Sequence, residues 1–146
     1  MTGVRQISVF ASNRPGKIAA ITGVLAEAGI NIMGMNIASS GDFGVIKFLV
    51  NDLEKADRAL REKGFTISLN EVLAIEMEDV PGGLHRIADL LYRKNINVEY
   101  SYGLPMKPHR NAILIIEVED VEQAKLLLKN EPLRFLSEPE IQKERG

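Results

Sequence analysis

The chain contains itself twice. Arg14-Pro15-Gly16-Lys17-Ile18 returns as Val80-Pro81-Gly82-Gly83-Leu84, displaced by 66 residues, the distance from Pro15 to Pro81. At the same spacing Ile21 falls on Ile87, Leu25 on Leu91, and Ile30-Asn31-Ile32 on Ile96-Asn97-Val98. Farther on, Val50-Asn51-Asp52-Leu53 answers to Val118-Glu119-Asp120-Val121, so the second copy holds two additional residues before that point. A repeat of this length is one supersecondary unit used twice. Copies this small are marginal alone, because a short chain buries a smaller share of its surface.

Each copy alternates between two periodicities. Ile7 and Val9, or Leu73, Ile75 and Met77, step by two and predict a strand. After the Pro-Gly break, Ile18, Ile21, Val24 and Leu25 step by three and four, as do Leu84, Ile87, Leu90 and Leu91, which predicts a helix with one buried stripe. Gly29 and Asn95 follow these helices, and both residue types tolerate the left-handed conformation that ends a helix. A second strand is expected over Ile32 to Ala38 and Val98 to Leu104, and a third over Val45 to Val50 and Ala112 to Val118. Asn51-Asp52 and Glu119-Asp120 supply caps for a second helix. Its buried side is Leu53, Ala56 and Leu60, or Val121, Ala124, Leu127 and Leu128. Short fourth strands are expected over Phe65 to Leu69 and Leu133 to Leu136.

The order βαββαβ specifies an α+β fold of two ferredoxin-like modules, each an antiparallel sheet with both helices on one face. The expected divisions are 1–70, 71–137 and a charged tail over 138–146, either frayed or a short added helix. Leu69-Asn70-Glu71-Val72 joins strand to strand with no Pro- or Gly-rich linker, so the modules are expected to dock rigidly. Strand two of copy one (Met33, Met35, Ile37) and the run Ala112 to Ile116 are apolar beyond what one helix layer covers. The second face is covered either by the other copy or by another subunit. The second alternative is the expectation, which makes the protein a homodimer.

Several functions are poorly served by this composition. The formal net charge is −2 and the pI about 5.7, which argues against a nucleic-acid or membrane partner held by charge. There is no cysteine, so disulfides, thiolate metal sites and thiol nucleophiles are excluded. Aromatic residues make up 5%, too few for a base-stacking sheet. No apolar run approaches the roughly 18 residues of a spanning helix, and the start of the chain has no signal-peptide core, so a cytoplasmic protein is expected. His85 and His109 belong to no nucleophile or metal-ligand pattern. Lys107-Pro108-His109-Arg110 reads as a solvated hairpin rather than an anion site, and Asp42-Phe43-Gly44 as a turn entering a strand. No catalytic residues, metal site or cofactor are expected.

What remains is the loop from strand to helix, Asn13, Arg14, Pro15, Gly16 and Lys17. Glycine allows close backbone approach, helix-initiating N–H groups receive carboxylates, and Asn13 both donates and accepts. Across the helix, Gly29, Asn31 and Ile32 offer a second amide. Two amides and a helix N-terminus match the ammonium and carboxylate of an α-amino acid. Equally, Asn13 caps the helix and Asn31 shapes a turn.

The repeat, the element order, the Pro-Gly at the first helix and Gly29-Ile30-Asn31-Ile32 entering strand two resemble the ACT domain family. The similarity spans both copies and is strongest to stand-alone pairs of ACT domains. It implies a non-catalytic regulatory protein that binds a small amino acid between paired domains. It leaves as the alternative a ligand-free interaction module, or the regulatory subunit of an amino-acid-metabolic enzyme. Asn13-Arg14-Pro15-Gly16 followed by Asn31 is similar to the serine-sensing domain of phosphoglycerate dehydrogenase, where two asparagines hold the ligand. Ala11 stands where that domain has a ligand-binding histidine. In copy two the implied positions are Asp79, Gly82, Gly83 and Asn97, with an acid replacing the first amide.

Overall fold

Alternating apolar residues place Val4–Ser12 in β1, and the Pro15-Gly16 break turns the chain into α1, Lys17–Glu27. There follow β2 (Ile32–Ser40), β3 (Phe43–Val50), α2 (Leu53–Glu62) and β4 (Thr66–Glu78). The second copy continues with α3 (Gly83–Arg93), β5 (Tyr100–Pro105), β6 (Asn111–Glu117) and α4 (Val121–Leu127), and the chain closes on α5 (Glu138–Arg145). This computed structural model describes residues 3–106 and 110–145. It contains two compact units, Arg5–Asn70 and the chain from Glu71 onward with the residues before Arg5. The closing strand of copy one and the opening strand of copy two are one continuous strand, β4.

In the first copy the strand order is β2-β3-β1-β4, and in the second β4-β6-β5. The pairs β1–β3, β2–β3, β4–β6 and β5–β6 are antiparallel. Ile7 faces Phe48 and Val9 faces Ile46, so the same side of both strands turns toward Ile21 and Leu25 of α1 and Leu53, Ala56 and Leu60 of α2. Copy two repeats this with Leu73, Ile75, Leu114 and Ile116 against Ile87, Leu90, Leu91, Ala124 and Leu128. Each fully buried leucine or isoleucine contributes about 1.5–3 kcal/mol through removal from water. Both modules are therefore ferredoxin-like, with their helices on one sheet face.

Helix ends follow local chemistry. Asp52 and Asp120 accept from the backbone N–H groups of Lys55 (3.1 Å) and Gln123 (3.0 Å), capping α2 and α4. After α1, Gly29 at φ 72° donates to the Ala26 carbonyl and Ile30 to that of Leu25. After α3, Asn95 at φ 57° donates to the Tyr92 carbonyl and Ile96 to that of Leu91. These are matched Schellman closures, one built on glycine and one on asparagine.

The structure departs from the sequence pattern in three places. Ile18 and Leu84, expected on the buried stripe, lie in the first helical turn and remain 40% and 55% exposed. Leu127, expected to be buried, is exposed near the end of the short α4. The expected strand over Leu133 to Leu136 reduces to one bridge, Ile75 with Phe135, flanked by bonds from Glu76 N–H to the Arg134 carbonyl and from Leu136 N–H to that of Ala74. Pro132, with no N–H to give, precedes it. On the sheet face turned from the helices, Lys47, Leu49, Val72, Ala74, Ile113 and Ile115 are buried; of the strand-two residues singled out in the sequence, Met33 is buried, while Met35 and Ile37, which pair with the helix-side residues Phe48 and Ile46, stay exposed. The tail beyond Ser137 is helical, with Ile141 buried.

Candidate ligand-binding site

The loop between β1 and α1 is fastened at its start and open at its end. Asn13 donates its backbone N–H to the Asp42 carbonyl (2.8 Å) and its side-chain amide to the Gly41 carbonyl (3.1 Å). Asn13 therefore does not cap the helix. It ties the loop to the β2–β3 turn and keeps its amide oxygen as an acceptor. Arg14 N–H turns back to the Ser12 carbonyl (3.0 Å), and Lys17 N–H to that of Arg14 (3.3 Å). The helix cap is Gly16, at φ 90°, and no side chain caps α1 among the described residues. The N–H groups of Ile18 and Ala19 thus begin the helix without a side-chain acceptor, beside exposed Arg14 and half-buried Lys17.

Asn31 sits at the other end of α1. Its N–H donates to the Asn51 side-chain oxygen (3.0 Å), and its carbonyl accepts from Asn51 N–H (3.2 Å). Its side chain is at an exposed position, and Ile32 next to it pairs with Val50. Ser12, by contrast, pairs with Phe43 at the opposite end of β3. The 11 residues of α1 lie between the two asparagines, a separation of about 16 Å at the helical rise. Asn13, Arg14, Pro15, Gly16 and Lys17 are brought together; Gly29, Asn31 and Ile32 form a separate group.

Copy two reproduces the framework and closes the loop. Asp79 N–H donates to the Arg110 carbonyl (3.1 Å), as Asn13 does to Asp42, and Gly82 caps α3 at φ 86°. A Cβ on Gly83 would overlap the Glu78 carbonyl oxygen, so strand end and helix start meet there with no room for a side chain. Arg86 pairs with Glu78 at 3.5 Å over the same loop. Asp79 and Asn97 are exposed and, like their counterparts, stand at opposite ends of their helix.

Residues that periodicity does not single out lie beneath these loops. Across the helix-side face of copy one, Ala11, Gly44 and Ser39 form one row of the sheet. The corresponding row in copy two is Met77, Ala112 and Pro105. Sliding the chain on itself by 66 residues already sets Ala11 against Met77, and that is the signal that was available.

Charged contacts elsewhere are structural. Glu76 accepts from Asn111 (2.8 Å) and Arg134 (3.1 Å), and Arg134 also reaches Glu140 and Glu144 of α5, both at 3.5 Å. The Asn111 amide, helped by Arg134, holds the Glu76 carboxyl below the usual range against the opposing effect of burial. Burial, with Glu117 nearby, raises the Tyr102 hydroxyl. His85 is exposed, and no cluster of metal-ligating residues occurs among the described residues. Lys107, Pro108 and His109 lie outside the described residues. Among those described, no helix is long and apolar enough to cross a membrane.

A family model for the ACT domain pair matches residues 1–144. Among curated proteins none matches by sequence. A solved structure from Bacteroides thetaiotaomicron superposes with a TM-score of 0.88 at 27% identity, covering 97% of each chain. The regulatory subunit of aspartate kinase from Thermus thermophilus superposes with a TM-score of 0.64 at 18% identity, covering 88% of this chain and 92% of that one. Its counterpart from Thermus flavus gives 0.56 at 18%, over 88% and 90%.

Proposed function

The chain belongs to the ACT domain pair family, and from that premise we propose that it is a non-catalytic, cytoplasmic regulatory protein that binds a small α-amino acid through copy one. The observation that carries the reading is the difference between the two loops. In copy one, Gly16, Ile18 and Ala19 are exposed at the start of a helix that no side chain caps, with Arg14 and Lys17 adjoining in sequence. That environment favours a carboxylate. The Asn13 amide oxygen, with the backbone N–H and side-chain nitrogen of that residue donating to the hairpin turn, accepts from an ammonium. In copy two the acids Glu78 and Asp79 stand at the same helix end and oppose a carboxylate.

Asn31 joins this site from a second protomer. One copy holds its two asparagines too far apart to share one small ligand, whereas two copies related by a two-fold axis, with their α1 helices antiparallel, bring Asn13 of one to Asn31 of the other. Three features of copy one suit such a homodimer. β2 ends the strand order and runs nine residues without a charge or proline, an edge undefended against pairing. The outer side of α1 carries Ala19, Gly23 and Ala26, all exposed and small. Lys17 and Glu27 sit at the helix ends that their charges disfavour in isolation, and an antiparallel partner sets each against its opposite.

A second reading has one observation in its favour. Leu84 and Tyr92 on α3 leave an apolar stripe exposed on copy two, suited to an enzyme of amino-acid metabolism for which this chain is the regulatory subunit. A thermal-shift screen against the common amino acids separates the two. A ligand at 100 times its dissociation constant adds about 2.7 kcal/mol, which raises the melting temperature by roughly 5–10 °C in a chain this size. If none of them raises it, the ligand-free reading replaces the first.

A further inference from the structure

The two copies differ most where a ligand's side chain would rest. In copy one the row Ala11–Gly44–Ser39 lies on the same sheet face as the core residues Ile7, Val9, Ile46 and Phe48, at the end of the sheet from which α1 starts. None of its side chains is larger than a hydroxymethyl group, and the nearest atom to a Cβ placed on Gly44 is the Ser39 hydroxyl at 3.5 Å, an ordinary contact. In copy two the same row carries Met77, whose side chain packs against the core of that copy. Its Cγ lies 3.7 Å from where a Cβ on Gly83 would stand, directly under the start of α3. Copy two therefore fills this place with its own apolar side chain, and copy one does not.

The rim changes in the opposite sense. Ile37 in copy one pairs with Ile46, and the residue in that register in copy two is Gly103, paired with Leu114. Met35 is likewise matched by Ser101. Ile37 and Ile18 are each 40% exposed on copy one. A low floor of small residues beside exposed branched aliphatic side chains accepts apolar volume, because close packing and removal of that surface from water both favour it. A charged side chain would meet no opposite charge in the row Ala11–Gly44–Ser39 and would be desolvated without compensation.

Resting on the amino-acid reading above, we infer that the ligand of copy one carries an apolar aliphatic side chain of about the size of leucine or methionine, seated on Ala11, Gly44 and Ser39 and flanked by Ile18 and Ile37. Met77 shows in copy two which chemistry and length suit that seat.

Titration calorimetry on the full chain with leucine, methionine, serine and aspartate tests this. Leucine and methionine should bind at least tenfold more tightly than serine or aspartate, with a ratio of roughly 10 to 100 from side-chain burial alone. Ala11→Met, which places in copy one the side chain found in copy two, should raise the dissociation constant for leucine more than tenfold. Ile37→Ser, at an exposed position that the fold does not depend on, should raise it severalfold, and Leu126→Ser on copy two should leave it unchanged. Circular dichroism confirms that each variant is folded, and Ile37→Ser decides if Ala11→Met is not. Tighter binding of serine or aspartate overturns this inference alone and leaves amino-acid binding standing. Parent-like leucine affinity in folded Ala11→Met and Ile37→Ser overturns it too. If no amino acid binds the parent chain, the functional reading itself fails and the inference falls with it.

Discussion

Gly16 and Gly82 form a matched pair in which one substitution separates backbone cost from ligand binding. Both cap the first helix of their copy, at φ 90° and 86°, and neither has a heavy atom within 4 Å of the place a Cβ would occupy. Alanine therefore meets no obstacle at either position, and its cost is conformational. Holding an L-residue in the left-handed region costs about 1–2 kcal/mol, partly offset by about 0.4–1 kcal/mol from the stiffer unfolded chain. The net expectation is a loss of about 0.5–1.5 kcal/mol for each, equal within experimental error, measured by urea unfolding. Gly83→Ala provides the contrast, since its Cβ would overlap the Glu78 carbonyl; overpacking of that kind costs about 1–3 kcal/mol, in addition to any conformational effect. The loop reading adds a functional asymmetry: Gly16→Ala weakens amino-acid binding and Gly82→Ala does not. A Gly16→Ala variant less stable than Gly83→Ala would refute the steric reasoning. Equal loss of affinity in the Gly16 and Gly82 variants would refute the assignment of binding to copy one.

Three further outcomes are expected. Leu25→Ala, at a fully buried position of α1, should lose about 2–5 kcal/mol in denaturant titration. Asp52→Ala removes the acceptor for Lys55 N–H and should cost about 1 kcal/mol, read as a lower urea midpoint with unchanged slope. Glu76 has its folded-state pKa lowered from 4.5 by Asn111 and Arg134, so its stabilising effect is fully present above that value and is lost as pH falls toward the folded-state pKa; Glu76→Gln should be less stable than the parent at pH 7, with the difference shrinking below about pH 4.5, as followed by unfolding at each pH.

The element order was readable because each copy states it independently. Apolar spacing of three and four marked Ile21, Leu25, Ile87 and Leu91, all of them buried, and Gly29 and Asn95 marked the helix ends at which positive φ occurs. Periodicity failed at Ile18 and Leu84, which lie in the first helical turn and stay exposed although their spacing is that of the buried stripe. It failed at Leu133 to Leu136 because the pairing with β4 is limited to one bridge and two flanking backbone bonds before α5 begins. In the candidate site, the composition of the loop was legible and its geometry was not. Nothing local distinguishes an asparagine that caps a helix from one that ties a loop to a distant hairpin, as Asn13 does through Gly41 and Asp42. The separation of Asn13 from Asn31 depends on strand register, and although the repeat sets Ala11 against Met77, the row that Ala11 forms with Gly44 and Ser39 appears only when three strands are laid side by side.

In the function proposed above, one amino acid is held by copy one, between Asn13 of one protomer and Asn31 of its partner. The most direct test is calorimetric titration of Asn13→Ala, Asn31→Ala and an equilibrated mixture of the two. Each variant alone should bind roughly ten- to hundredfold more weakly than the parent, as expected for loss of one hydrogen bond to a charged group. In the mixture, dimers formed from one chain of each kind carry one site with both asparagines intact, so a fraction of sites with parent affinity should reappear. Parent-like binding in both single variants, or two weak variants whose mixture recovers no tight site, would contradict the account.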